Sequence, residues 1–335
     1  MTIIAHFVHI SEIYIFFMSA LAIIPLAKYV GEATEEITVY TGPALGGLLN
    51  GTFGNATELL IGIFALKAGL VEVVKASITG SIIGNLLLVT GMAMFAGGLK
   101  YKKQEFNKTG ILVASSTLLL AAIALIMPAI FMLTSPAATG AIVDELSIVV
   151  SICMMIVYAS GLFFILHTHK HLYTEEVGKF ESKWSKKKSA AILILATLAV
   201  AWMSEILVGS IEPLVTTFGW TELFIGVVFV AIIGNAAEHS SAIVMALKNR
   251  MDLSLQISIG STTQIAMFVA PLLVLISLFF PIHMSLIFNT FELISIVLSI
   301  LILNVVVGDG ECNWLEGVQL LMAYAIMAIA FFFHP

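Results

Sequence analysis

The chain alternates between long apolar blocks and short polar stretches. Each block holds roughly 20 to 28 residues, and about 20 helical residues cross the ~30 Å hydrocarbon core of a membrane. Strands of a membrane barrel would instead alternate in pieces of about ten residues. The pattern predicts an all-α membrane fold, a polytopic bundle of about ten transmembrane helices. The predicted spans are 12–30, 44–68, 71–98, 109–133, 142–166, 189–210, 220–248, 253–280, 284–307 and 314–333.

The N-terminal segment leaves the helix count at ten or eleven. Residues 1–10 are apolar but too short to cross a bilayer. They are interpreted as a remnant or interfacial helix.

Composition agrees with a membrane protein. Hydrophobic residues make up 60% of the chain and charged residues only 11%, with a mean hydropathy of +1.07. A soluble domain carries about 25% charged residues. The two cysteines, Cys153 and Cys312, lie in or beside predicted spans and form no disulfide or metal-binding pattern.

Basic residues lie mainly on one side of this ten-span arrangement. The loops after the first, third, fifth and seventh spans hold 13 of the 15 Lys and Arg residues, and the opposite face holds only Lys67 and Lys75. Loops rich in Lys and Arg stay in the cytoplasm. The asymmetry predicts a multi-pass protein of the cell membrane with its basic loops cytoplasmic. The 13 are Lys28, Lys100, Lys102, Lys103, Lys108, Lys170, Lys179, Lys183, Lys186, Lys187, Lys188, Lys248 and Arg250.

The sequence contains an internal repeat at an offset of 180 residues. Gly-Asn-Ala-Thr-Glu at 54–58 matches Gly-Asn-Ala-Ala-Glu at 234–238, and Gly-Ser occurs at 80–81 and 260–261. Each copy has five spans, so the second copy enters the membrane from the opposite side. Inverted repeats are typical of secondary transporters, which bind substrate at mid-membrane between the copies. The predicted units are a first repeat over 1–166, a cytoplasmic linker over 167–188 and an inverted second repeat over 189–335.

One glutamate of each repeat motif is predicted near the middle of a span. A charged side chain there costs about 2.5–3.5 kcal/mol on insertion scales, which makes Glu58 and Glu238 functional candidates. Asn55 and Asn235 lie three residues earlier and are expected on the same helix faces. Carboxylate and amide oxygens are the ligands that Ca²⁺ prefers. Since burial disfavours a bare carboxylate, each glutamate is expected to hold either the cation or a proton.

The span after each motif adds polar side chains that are predicted to support the site. Asn85 and Gln264 are assigned to the site or its surroundings, while Ser81 and Ser261 serve equally well as contacts between helices. His239 is interpreted as a packing residue or a proton relay. Glu292 and Glu205 lie close to predicted span ends, and an interfacial position is expected for Glu292.

Other chemistries lack their motifs. The sequence holds no H-E-x-x-H, Walker loop, C-x-x-C or G-x-S-x-G. The loops are too short for an ATPase domain, so transport would be driven by ion gradients. The protein is expected not to be an enzyme and to need no cofactor. The expected partners are the bilayer and the transported ions, with no nucleic acid, and the oligomeric state stays open.

The two motifs resemble the signature repeats of the calcium/proton exchangers, in the calcium/cation antiporter superfamily. The resemblance includes Ala-Leu-Lys at 65–67 and 246–248, and it extends over nearly the whole chain. It implies a 5+5 inverted repeat, with Glu58 and Glu238 as alternating calcium and proton sites and with sliding first and sixth spans. Many members have a longer N-terminal helix and an acidic linker, whereas this linker is basic. The predicted function is Ca²⁺/H⁺ antiport; the alternatives are an antiporter for Mn²⁺ or Na⁺, or a cation channel.

Overall fold

The computed structural model describes residues 11–135, 140–168 and 182–335, apart from the side chains of 42–48, 50 and 51. The predicted N-terminal segment, residues 1–10, and most of the linker lie outside the described residues. The helices are α1 (Glu12–Phe53), α2 (Ala56–Lys67), α3 (Val71–Lys100), α4 (Lys108–Thr134), α5 (Gly140–Thr168), α6 (Lys186–Phe218, interrupted at Ser210), α7 (Glu222–Leu247), α8 (Met251–Ser277), α9 (Thr290–Val306) and α10 (Trp314–Phe333).

The fold is helical, as the apolar blocks predicted. Within the described residues, eight helices are long and apolar enough to cross a membrane, and α9 is a shorter apolar helix. The most buried of the eight are α3, at 72%, and α8, at 61%. These two helices therefore lie at the centre of the bundle, and they carry the Gly-Ser pairs of the repeat.

The start of the chain differs from its prediction. Two spans with a loop between them were expected, but α1 is helical from Glu12 to Phe53. A straight helix of 42 residues would be about 63 Å long, twice the thickness of the hydrocarbon core.

Contacts with α6 show that this segment turns back within its helical stretch. Ser210, at the far end of α6, donates a hydrogen bond to Glu12 (3.4 Å). Lys67 pairs with Glu205 near the same end (3.2 Å). Between these two points, Glu36 contacts the residues that precede α6. The chain therefore runs along α6 and returns, as the two predicted spans would.

Several long helices contain a π-helical segment. In α3 it covers Gly84–Val89, in α8 Ile265–Val269 and in α7 Ile225–Val230. The segments in α3 and α8 start 181 residues apart, close to the repeat offset of 180. A π segment adds one residue to a turn and often marks a functional position.

Two short strands join the loops before α4 and α10. β1 (Gln104–Glu105) pairs antiparallel with β2 (Glu311–Cys312). Lys103 forms ion pairs with Glu311 and, at 3.2 Å, with Glu105. These carboxylates, Glu311 first, raise the pKa of the Lys103 ammonium group. The loops that follow α3 and α9 therefore meet on one face of the bundle.

Candidate functional site

The first repeat motif begins a helix. Asn55 occupies the N-cap position of α2 with φ −104° and ψ 25°, and its side chain does not cap the helix. Instead, the Asn55 amide donates a hydrogen bond to Gln264 Oε1 in α8. Glu58 lies in the first turn of α2, where the helix dipole favours a carboxylate. Asn55 and Glu58 were expected on one helix face at mid-span, but the helix starts between them.

The second motif lies inside a continuous helix. Glu238 and Asn235 belong to the α-helical part of α7, Ala231–Leu247, which follows the π segment of that helix. The two motifs thus match in sequence but differ in local structure. A helix interrupted at membrane depth is tolerated only where protein or a cavity surrounds the freed backbone groups.

A buried polar network connects α3, α7 and α8 beside these motifs. Asn235 Nδ2 donates to Ser81 Oγ at 2.8 Å. Asn85 Nδ2 donates to Ser261 Oγ at 2.9 Å and to Asn235 Oδ1 at 3.2 Å. His239 Nε2 lies 3.1 Å from Asn85 Oδ1. All five side chains are buried, and the hydrogen bonds fix the orientation of both amides.

The two glutamates approach each other through Gly234. A Cβ atom placed on Gly234 would lie 3.3 Å from Glu58 Oε1 and 3.1 Å from Glu58 Cγ, so the Glu58 side chain packs directly on the α7 backbone. Glu238 follows one helical turn later, and the Ser261 hydroxyl lies beside its carboxylate. All nine predicted site residues therefore meet in one region between the repeats.

Three oxygens of this region have no hydrogen-bond partner among the described residues. They are Asn55 Oδ1, Glu58 Oε2 and Glu238 Oε2, and all three are buried. A buried oxygen without a partner costs about 1–3 kcal/mol. Carboxylate and amide oxygens of this kind are the ligand type that hard cations prefer.

A cavity of about 500 Å³ leads to Glu238 from one face of the bundle. Lys28 and Glu35 are exposed residues of its wall, and Gln264 and Ser261 lie at its inner end. This cavity is called the vestibule below. Its lining residues are Ala27, Lys28, Gly31, Glu32, Glu35, Gly54, Thr57, Gly234, Ala237, Glu238, Ser240, Ser241, Met245, Leu253, Gln256, Ile257, Gly260, Ser261 and Gln264.

Glu58 borders a second, much smaller cavity. Its volume is about 10 Å³, roughly the space of one water molecule. Its polar lining comes from Glu58, Ser77 and Ser81, and the rest is apolar: Ile61, Ile78, Val230, Ile265, Val269 and Leu273. Among the described residues, the space that Glu58 borders is therefore far smaller than the vestibule that Glu238 lines.

Sequence reasoning did not identify every residue of the vestibule. Thr57, Glu32 and Glu35 line it, but Thr57 was treated only as part of a motif. The charge of Glu32 and Glu35 at the end of a predicted span was a visible signal. Their approach to Glu238 depends on the packing of α1 against α7, which apolar periodicity does not reveal.

Comparison with known proteins shows to which family this chain belongs. Residues 11–167 and 188–333 match the model of the sodium/calcium exchanger protein family. The chain belongs to that family. The predicted resemblance to calcium/proton exchangers is confirmed by relatives of nearly equal length.

The Ca²⁺/H⁺ antiporter ChaA of Bacillus subtilis is 48% identical over 99% of this chain and 95% of its own length. A Ca²⁺/H⁺ antiporter of Aphanothece halophytica is 46% identical over 100% and 94%. The solved structure of YfkE is 45% identical, with a TM-score of 0.87 over 99% of this chain and 96% of that one. The H⁺/Ca²⁺ exchanger CAX, at 16% identity and a TM-score of 0.69, shares the fold.

Proposed function

We propose that this family member is a secondary active antiporter that exchanges Ca²⁺ for H⁺ by alternating access. The observation that carries the proposal is the convergence of both repeat motifs at the inner end of a vestibule that stops at Glu238. The named activity of relatives with 46–48% identity supports the choice of ions. These relatives are transporters, and the protein is a transporter rather than an enzyme.

The unpartnered oxygens give the proposed ion specificity. Two carboxylates balance one Ca²⁺, and Asn55 adds an amide oxygen. In the absence of calcium, the same carboxylates take up protons because two bare charges are costly at membrane depth. The site thus carries calcium or protons, but not both, and this competition couples their movements. In this proposal Ca²⁺ and H⁺ are substrates, and Asn85, His239 and the serines hold the site in shape.

The packing beyond Glu58 favours a transporter over a channel. A channel needs a continuous pathway, whereas the cavity that Glu58 borders has a volume of only about 10 Å³. The vestibule contains Lys28 in its wall. This conformation is therefore open towards the face that carries most of the Lys and Arg residues. We assign that face to the cytoplasm of the cell membrane.

The pairing of β1 with β2 supports ten crossings of the membrane. β1 and β2 pair on one face of the bundle, so the chain between them crosses the membrane an even number of times. Six helices, α4 to α9, lie between the strands. The shorter α9 must then cross, although its 17 residues extend only about 25 Å. With the reversal of α1, this gives two sets of five crossings, in line with repeats over 1–166 and 189–335.

The decisive experiment is ⁴⁵Ca²⁺ uptake by purified protein in liposomes. An imposed pH gradient should drive calcium against its concentration gradient, and collapse of the gradient with a protonophore should stop uptake. Excess Mn²⁺, Na⁺ and K⁺ serve as competitors. Uptake driven by a Na⁺ gradient alone would indicate a different exchanger. Calcium flux that follows only its own gradient would indicate a channel.

A further inference from the structure

The residue before Glu58 presents an unused hydroxyl group to the vestibule. Thr57 is only 4% exposed, and it lines the vestibule together with Glu238. Its hydroxyl forms no hydrogen bond with the described residues, and it is not one of the buried, unpartnered oxygens of the site, so it is accessible from the vestibule. Ser240 and Ser241 line the same cavity, but their hydroxyls donate to Ala237 O at 2.8 and 3.0 Å.

The break before α2 explains why Thr57 is free. A helical threonine usually donates to the carbonyl four residues earlier, as Thr262 and Thr263 do at 2.8 and 2.9 Å. Thr57 is the second residue of α2, and the chain departs from helix geometry at Asn55. The usual acceptor is therefore out of place. The hydroxyl therefore stays available to an ion in the vestibule that it lines.

The repeat supplies a natural comparison for this position. Ala237 stands 180 residues after Thr57 and also lines the vestibule. In both repeats the residue before the glutamate lines this cavity, but only the first repeat has a side-chain oxygen at that position. The oxygens of the site are therefore distributed unequally between the repeats.

We propose that the Thr57 hydroxyl is a further oxygen ligand of the transported cation, on the vestibule side of the two glutamates. The inference rests on the proposed function. Ca²⁺ takes six to eight oxygens in a flexible shell, whereas Mn²⁺ is typically held by six oxygens in an octahedron. An additional oxygen on the open side of the site therefore favours Ca²⁺ over Mn²⁺.

The test compares Thr57→Val, Thr57→Ser and wild-type protein in ⁴⁵Ca²⁺ binding, with unlabelled Mn²⁺ as competitor. Thr57→Val keeps the shape and removes the hydroxyl. It should weaken Ca²⁺ binding about three- to tenfold, reduce the preference for Ca²⁺ over Mn²⁺, and leave the number of sites unchanged. Thr57→Ser should restore both the affinity and the preference. Thr117→Val makes the same change on α4, where the hydroxyl already donates to Val113 O, and it should behave as wild type.

Wild-type affinity in Thr57→Val would overturn the proposal, and so would a loss of sites without a change of affinity, which indicates a structural role. If Thr57→Val does not purify as folded protein, Thr57→Ala against Thr57→Ser decides by the same measurement. Proton-driven uptake by wild-type protein is assayed in parallel. If wild type exchanges normally and Thr57→Val matches it, only the role of Thr57 fails; if wild type shows no exchange, the proposed function itself fails.

Discussion

The carboxyl group of Glu58 packs against the backbone of Gly234, with Oε1 3.3 Å from the point where a Cβ of residue 234 would lie. A glycine at this point lets a carboxylate of the first repeat contact the helix that carries Glu238. Each repeat therefore supplies one acid, and the second repeat also supplies the surface on which the acid of the first repeat rests.

Gly234→Ala should displace the Glu58 side chain without removing any charge. The added methyl group would lie 3.1 to 3.3 Å from three Glu58 atoms, closer than ordinary contact, and overpacking of this kind costs about 1–3 kcal/mol. Calcium affinity measured with ⁴⁵Ca²⁺ should fall about five- to a hundredfold. Gly161→Ala on α5, where a Cβ meets no atom within 4 Å, is the matched control. Unchanged affinity in Gly234→Ala would mean that the position of Glu58 does not matter for binding.

Replacement of either glutamate by glutamine should abolish exchange. Glu58→Gln and Glu238→Gln keep the size and one carbonyl oxygen but remove the titratable charge. Calcium binding should weaken by about 2–5 kcal/mol, as expected when one member of a buried charge set is lost. The variants should still insert and fold, since loss of a buried charge can stabilise a protein. Near-normal proton-coupled flux in either variant would contradict the proposed site.

The same variants test the competition between calcium and protons. In wild type, acidification fills the carboxylates with protons, so calcium affinity should fall as pH falls, approaching tenfold per pH unit for each proton displaced. Each glutamine variant has lost one of these carboxylates and should show a shallower dependence. Equal slopes in wild type and both variants would place the competing protons elsewhere.

Apolar periodicity predicted most of the fold because each span is long and uniform. It predicted the reversal after the first span but not the helical structure from Glu12 to Phe53, because Gly-Pro at 42–43 and Gly-Gly at 46–47 are typical of a break. Glu292 shows a second limit. It lies in the first turn of α9, near a helix end as expected, but the pattern did not predict that it is buried and accepts hydrogen bonds from Thr79 Oγ1 and from the backbone of Asn289, both at 3.0 Å. The residues of the proposed site could be selected from the sequence because both repeats carry the same motif. The sequence did not predict that Glu238 lines the vestibule while Glu58 borders only a small cavity, because this difference depends on the conformation.

The proposed orientation can be tested by cysteine labelling from each side. A membrane-impermeant maleimide should label a cysteine at Lys103 only from the cytoplasm. At His283, which pairs with Asp144 at 3.1 Å, it should label only from outside. Cys153 is replaced by serine because it is exposed. Cys312 can remain because burial raises the pKa of its thiol to about 12, which leaves almost no reactive thiolate. Labelling of both sites from one side would refute the arrangement.

Glu36 is predicted to hold α1 and α6 together during transport. Its carboxylate accepts hydrogen bonds from the Ser182 hydroxyl at 2.8 Å and from the backbone amides of Lys183 and Trp184 at 3.2 and 3.1 Å. Glu36→Ala removes all three bonds, which lie at the end of the pair where α6 begins. The maximal rate of exchange should fall severalfold while calcium affinity stays normal, because the site is untouched. A change in affinity alone would assign Glu36 to ion binding instead.

Gly80 and Gly260 occupy equivalent positions in the two repeats but meet different surroundings. A Cβ on Gly80 would collide with the backbone of Val227, at 2.5 Å from its Cα atom, whereas a Cβ on Gly260 would meet nothing within 4 Å. Gly80 therefore marks a closed contact between α3 and α7, and Gly260 lines the open vestibule. In an inverted repeat the two environments should exchange when access alternates. By the 180-residue offset, Gly260 would then pack on the counterpart of Val227, Gly47.

Gly260→Val should therefore bind calcium but fail to transport it. The added side chain has room in the open vestibule, so affinity measured from the cytoplasmic side should remain within about twofold of wild type. It would prevent α8 from closing on the first repeat, because packing as tight as that of Gly80 leaves no space for a side chain. Proton-driven ⁴⁵Ca²⁺ uptake should fall at least tenfold. Gly161→Val adds the same bulk on α5, at a glycine with equally open surroundings, and should transport normally. Wild-type uptake by Gly260→Val would show that the vestibule closes by a movement other than the one that the repeat predicts.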